Sequence, residues 1–235
     1  MNVDLNCDLG ESAAHDAELM PLVSSANIAC GAHAGDEATM RQTLELVCQH
    51  GVSAGAHPSY RDRANFGRRE LTLAPTEVFQ LVVEQVRELQ RIAGELGVAL
   101  AHVKPHGALY NQAARDPALA DAIATAVQTV DARLILFGLA GSALIAAAAA
   151  RGLRAAAEVF ADRRYQADGS LVPRSRADAL IADPEEACAQ VLRLVRAGRA
   201  QTVCVHGDGL HAVAFARQLR ATLGQAQIAI KPCGA

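Results

Sequence analysis

Tryptophan is absent from the 235 residues and aromatics make up only 3% of them, so aliphatic side chains and many alanines must fill the core and let helices pack closely. No run of like charge underlies the net charge of −3, which leaves no electrostatic footprint for nucleic acid or an anionic membrane and points to a small-molecule substrate. No basic flank with an apolar stretch opens the chain, so a secretory leader is not expected and the location is read as cytoplasmic. Residues 134–150 lack charge, but Gly138, Gly141 and Ser142 divide them and they fall short of a spanning length, so no membrane segment is expected. The six cysteines include no C-x-x-C pair and the chain is not small, so reduced, mostly buried thiols are expected. Nucleophile-elbow, Walker A and Rossmann signatures are also missing, so any nucleotide must bind unconventionally or on a partner.

What is present is a chain that is 51% hydrophobic and 20% charged, long enough for one large core, and it is read as a single domain over 1–235. A unit of amphipathic helix, glycine and short β-prone run recurs: Gly51 precedes 52–56, Gly97 precedes 98–103, Gly152 precedes 153–159, Gly198 precedes 199–205 and Gly224 precedes 225–230. Each glycine suits the left-handed position just after a helix. Asp116-Pro117 and Asp183-Pro184 read as capped helix starts, with Glu186 completing a capping box at the second. Pro75 opens the longest predicted helix, 75–96, whose Val78, Leu81, Val82, Val86, Leu89 and Ile92 share one face. Further runs at 2–7, 26–29 and 133–137 bring the total to seven or eight strands alternating with helices, the pattern of a parallel sheet. Polar residues follow most strands rather than flanking one crevice, which favours a closed (β/α) barrel over an open doubly wound sheet. The irregular stretch 58–72 carries Arg61, Asp62, Arg63, Arg68, Arg69 and Glu70 and reads as a functional loop or lid, or else as a solvated surface loop.

Parity gathers the chemistry. In the first strand Val3 and Leu5 alternate with Asp4, Asn6 and Asp8; in the fourth, Ala101 and Val103 alternate with His102, Lys104 and His106. The seventh repeats this with Cys204, His206 and Asp208 inward or at the rim, and the third ends in Gly55 and His57. Strand ends therefore supply Asn6, Asp8, Glu11, His33, Asp36, His57, Lys104, His106, His206 and Asp208, the end where barrel enzymes hold their sites. Taken singly, each histidine is explained by a structural hydrogen bond; taken together they point to a site. Asp8 with two histidines can hold a divalent metal that polarises a carbonyl and activates water. Alternatively Asp8 or Glu11 acts as general base, a histidine as acid, and Lys104 stabilises negative charge; a Lys104 Schiff base is a third option. Residues 138–142 read as a glycine turn joining strand to helix, or as a helix start offering N–H groups to a phosphate.

The segments 3–12 (VDLNCDLGES), 27–36 (NIACGAHAGD), 55–60 (GAHPSY) and 103–111 (VKPHGALYN) closely resemble the LamB/YcsF family, and 158–165, 171–175 and 205–208 extend the match over nearly the whole chain. The resemblance implies a barrel related to glycoside hydrolases and carbohydrate deacetylases. It also implies ATP-dependent opening of 5-oxoproline (pyroglutamate) to L-glutamate, performed with 5-oxoprolinase subunits B and C. In the related deacetylases an Asp and two His hold a metal, and the matching positions are Asp8, His57 and His106. On that reading Asp8, His57, Lys104, His106 and Glu11 are catalytic. Asn6, His33, Asp36, Arg163, Arg174, His206 and Asp208 contact the substrate, with Arg163, Arg164 or Arg174 on its carboxylate or phosphate, or else as solvated loop arginines. The competing readings are an ATP-independent, metal-dependent amidase or deacetylase, and a noncatalytic scaffold subunit.

Overall fold

The computed structural model describes residues 1–11, 15–206 and 212–234. Their order is β1 (Asn2–Leu9), α1 (Asp16–Leu19), β2 (Ser25–Ala29), α2 (Glu37–His50), β3 (Ser53–His57), α3 (Pro75–Glu95), β4 (Leu100–Val103), α4 (Gly107–Arg115), α5 (Pro117–Val130), β5 (Ile135–Leu139), α6 (Ala143–Ala150), β6 (Ala155–Phe160), α7 (Pro184–Arg196), β7 (Thr202–Val205), α8 (Ala212–Gln225) and β8 (Ala229–Ile230). Strands β1 to β7 form a closed parallel ring, β1 pairing with both β2 and β7. The eighth predicted strand exists but stays outside the ring, pairing only with Asn2 and Val3 at the start of β1. The expected α/β barrel is therefore seven-stranded.

The repeated glycines stop helices as expected at four of five places. Gly51 ends α2 in the left-handed conformation, and the amide of Val52 reaches back to the carbonyl of Val47. Gly224 is the exception: it lies inside α8, and Gln227 takes the left-handed position instead. Packing accounts for the shift. Buried Ile228 donates to the carbonyl of buried Leu223, so this apolar pair sets where the helix ends and the strained backbone falls on a glutamine. Asp116 and Asp183 cap α5 and α7 as predicted, but the capping box at Asp183 does not close, because Glu186 turns to pair with Arg164. The predicted apolar face of α3 is buried along its length.

Outward-facing strand residues such as Val3, Leu5, Ile28 and Val103 form the main core with the surrounding helices. The thiols of Cys7, Cys30, Cys188 and Cys204 are buried, Cys233 is partly so and Cys48 is exposed; all are unpaired. Among the described residues, no helix is long and apolar enough to cross a membrane.

Candidate active site

The barrel lumen is polar from bottom to top along β1, β2, β4 and β7. Asp4 accepts hydrogen bonds from Ser24, Ser25 and Thr202, and burial pushes its carboxyl upward in pKa. One layer up, Asn6 donates to Glu158 (2.9 Å) and Thr202 (2.6 Å), while Asn27 donates to Asn6 (2.7 Å) and to Asp8 (2.8 Å). His102 donates through Nε2 to Asn27 Oδ1, and its ring occupies the space that a side chain on Gly55 would fill, with an added Cβ only 2.1 Å away. Burial holds the His102 imidazole at about 3, so it is neutral.

Lys104 crowns this network. Its Nζ lies 2.9 Å from Asp8 Oδ1, 3.0 Å from Glu158 Oε1, 3.2 Å from Asn6 Oδ1 and 3.0 Å from Cys204 Sγ. Burial opposes the charge on Lys104, but Asp8, Cys204 and Glu158 outweigh it and hold the ammonium well above its ordinary pKa. An amine so held keeps its proton, which works against a Schiff base. Burial likewise opposes ionisation of Asp8, and His57 and Lys104 overcome it, keeping the carboxylate well below its usual range. His57 Nε2 stands 3.3 Å from Asp8 Oδ2; burial would lower the imidazole, yet Asp8 raises it.

Three histidines from separate elements meet beside Asp8. His106 Nδ1 faces His57 Nε2 at 2.9 Å, and the rings of His33 and His106 stack with centroids 3.8 Å apart. Glu11 Oε1 is 2.9 Å from His33 Nε2 and 3.3 Å from His106 Nδ1. Burial, reinforced by the neighbouring histidines, pushes His106 well below its ordinary value, so it is neutral. The stretch 58–72 is anchored at a few buried points while Arg61, Arg63, Arg68, Arg69 and Glu70 are exposed. The Phe66 carbonyl accepts from His106 Nε2 at 3.0 Å, Ser59 is fully buried, and Gly67 packs where a Cβ would strike Ser59 Oγ at 2.2 Å.

Above these groups opens a cavity of about 700 Å³, lined by Asp8, Glu11, His57, Lys104, His106, Arg163, Arg174 and His206, together with Ala140, Gly141 and Ser142 at the start of α6. Arg163 is 4% exposed; one Nη donates to the Val172 carbonyl, its Nε has no partner, and among the described residues no carboxylate pairs with it. Burial lowers this guanidinium to about 10, which leaves it charged at neutral pH. His206 Nδ1 contacts both oxygens of Asp162, at 2.8 and 2.9 Å.

Several expected substrate contacts lie elsewhere. Asn6 is sealed beneath Lys104 by its own hydrogen bonds, and His33 is buried behind Glu11 and His106, so neither lines the cavity. Asp36 caps α2 by accepting from the Thr39 amide, and Arg164 pairs with Glu186 on the surface. Asp208 lies outside the described residues. Cys204 faces inward as its parity predicts and reaches Lys104, whereas Glu158, Asn27 and Asp162 are site neighbours not expected from the sequence; parity along 156, 158 and 160 marks Glu158 once the sixth strand is treated like the first.

Residues 3–235 match the LamB/YcsF family. A protein from Tolumonas auensis described as the A component of 5-oxoprolinase is 54% identical over 97% of this chain and 98% of its own. The crystal structure of a lactam utilization protein from Thermus thermophilus is 42% identical and superposes with a TM-score of 0.91, covering 98% of this chain and 99% of that one. A family 4 carbohydrate esterase from Streptomyces lividans, 14% identical with a TM-score of 0.50 over 97% of this chain and 91% of that one, shares the fold alone. With its sequence matched end to end and its barrel superposed on that of a near relative, this chain belongs to the LamB/YcsF family.

Proposed function

We propose that the chain is a component of a 5-oxoprolinase, working with subunits B and C to hydrolyse 5-oxoproline to L-glutamate while ATP is converted to ADP and phosphate. Two of its relatives, a lactam utilization protein and a 5-oxoprolinase component, support that role. The observation that carries the chemistry is one cavity with an ionised Asp8 beside His57 on its floor and, in its wall, the guanidinium of Arg163, with which no carboxylate of the described residues pairs.

An unstrained five-membered lactam is a poor electrophile, so water alone attacks it slowly. Transfer of the ATP γ-phosphoryl group to the lactam oxygen makes the ring carbon more electrophilic and releases ADP. In our reading subunits B and C generate or assist that phosphorylated species, and this chain directs water onto its carbon. Asp8, with His57 beside it, takes the proton of the attacking water, and a neighbouring histidine returns a proton to the ring nitrogen as the C–N bond breaks; this leaves an acyl phosphate, which a second water hydrolyses to the side-chain carboxylate and phosphate. Lys104 spends its donors on Asp8, Glu158 and Asn6, so its part is to keep Asp8 ionised. Arg163 and Arg174 hold the substrate carboxylate or the phosphoryl group, and the cavity is large enough for both. A divalent metal held by the carboxylates and histidines of the floor would supply Lewis-acid polarisation.

Glutamate release is the test, measured with the chain alone, with its partners, and with Asp8→Ala in the complex. We expect no release by the chain alone, ATP-dependent release by the complex, and a loss of at least about 100-fold in Asp8→Ala. Full activity in the Asp8→Ala complex, or from subunits B and C without this chain, contradicts the assignment. Nucleotide-independent release by the chain alone selects the amidase reading.

A further inference from the structure

The hydrogen positions on two cavity histidines are set by their partners. His57 Nδ1 lies 2.7 Å from the carbonyl of Lys104 and His106 Nε2 lies 3.0 Å from the carbonyl of Phe66; a carbonyl only accepts, so each of these nitrogens carries a hydrogen. The remaining nitrogens, His57 Nε2 and His106 Nδ1, face each other across 2.9 Å. Without a proton between them these are two lone pairs, which repel unless a cation lies against both. Glu11 Oε1 brings a third, 3.3 Å from His106 Nδ1 and 3.8 Å from His57 Nε2. The Glu11 side chain is only 9% exposed, and its ion-pair partners among the described residues are histidines alone. A largely buried carboxylate facing two converging lone pairs calls for a positive ion.

We infer that Glu11, His57 and His106 form a site for one divalent transition-metal ion such as Zn²⁺, open toward the cavity. Donors on a tetrahedral ion with bonds of about 2.0–2.2 Å stand about 3.3–3.6 Å apart, and the three separations here bracket that spacing. Each donor also has the outer partner a metal ligand needs: backbone carbonyls orient the two imidazoles, and His33 Nε2, 2.9 Å from Glu11 Oε1, orients the carboxylate. All three donors line the cavity, so the fourth position falls to a ligand entering from it. Asp8 gives Oδ1 to Lys104 and Asn27, and its Oδ2 lies 3.3 Å from His57 Nε2, beside the trio. Glu11, which faces both His57 Nε2 and His106 Nδ1, is the carboxylate of the trio, where resemblance to deacetylases suggested Asp8. A proton shared between the two rings is the competing occupant.

The test uses the full chain, stripped with a chelator and titrated with Co²⁺ while its visible absorption is followed, then with Zn²⁺ in competition. One equivalent of Co²⁺ should bind with the intense bands of a four-coordinate site and be displaced by Zn²⁺. His106→Ala and Glu11→Gln should each weaken binding by at least about 10-fold, and Asp36→Ala should not change it. Absence of stoichiometric binding to the unaltered chain at micromolar Co²⁺, or equal affinity in folded His106→Ala and Glu11→Gln proteins, overturns the site and leaves a shared proton. The readout does not involve glutamate release, so it stands or falls separately from the lactam reading.

Discussion

The lumen of this barrel has two unlike halves. Along β1, β2, β4 and β7 it is filled by Asp4, Asn6, Asn27, His102 and Lys104, linked by short hydrogen bonds from the bottom of the ring to its mouth. Along β5 and β6 the lower lumen is apolar, with Ile135, Phe137 and Ala156 packed together, and Leu139 and Phe160 join Tyr110 and Leu171 above them. The inward charge on that side is Glu158, and it points at Lys104. The contrast separates two ways of filling a barrel. An apolar filling supplies stability with little directional demand, whereas a polar filling is tolerable only when each group has a partner, and in return fixes side chains in one geometry.

Substitutions should expose that difference. The largest effect is expected from Lys104→Met, which strands the buried carboxylates of Asp8 and Glu158; urea unfolding should show a loss of about 3–5 kcal/mol, with glutamate release by the complex falling at least about 100-fold. Phe137→Ala in the apolar half should cost about 3–5 kcal/mol, but activity per folded molecule should persist, so the two variants separate on activity rather than stability. Gly55→Ala pushes a methyl into the His102 ring and should cost about 1–3 kcal/mol by overpacking.

Acid titration probes the rim. Burial opposes the charge on Asp162, but His206 wins and holds the carboxyl below its ordinary 3.8. The folded pKa is thus lower than the unfolded one, so this contribution to stability is complete above about pH 4 and is lost as pH falls through the depressed value. Asp162→Asn should flatten that part of the unfolding free energy against pH. The smallest effect is expected from Asp36→Ala, which removes the α2 cap and should cost about 1 kcal/mol while leaving glutamate release unchanged; a large loss of activity would return Asp36 to the site.

The sequence carried the barrel because its signals are local: four glycine stops, two Asp-Pro starts and the alternation along each strand are written within a few residues. Gly224 shows the limit of such signals, since contact between Leu223 and Ile228 moved the end of α8. Parity likewise brought Asp8, His57, Lys104 and His106 to one mouth. It could not separate side chains that reach the cavity from those sealed beneath it, because Asn6 and Asp8 share a face and differ only in height. Nor could it find Arg163 without a carboxylate among the described residues, or the pairing of Arg164 with Glu186, since both depend on how residues 161–183 fold back over the rim.

A crystal structure of the complex with 5-oxoproline bound tests most directly whether the polar half performs the chemistry. The expected result is a lactam carbonyl within hydrogen-bonding reach of the Asp8 and His57 side of the cavity, with the ligand carboxylate at Arg163. A lactam found outside the cavity, or held against Leu139 and Phe160 with none of Asp8, His57 and Lys104 near its ring, would contradict it.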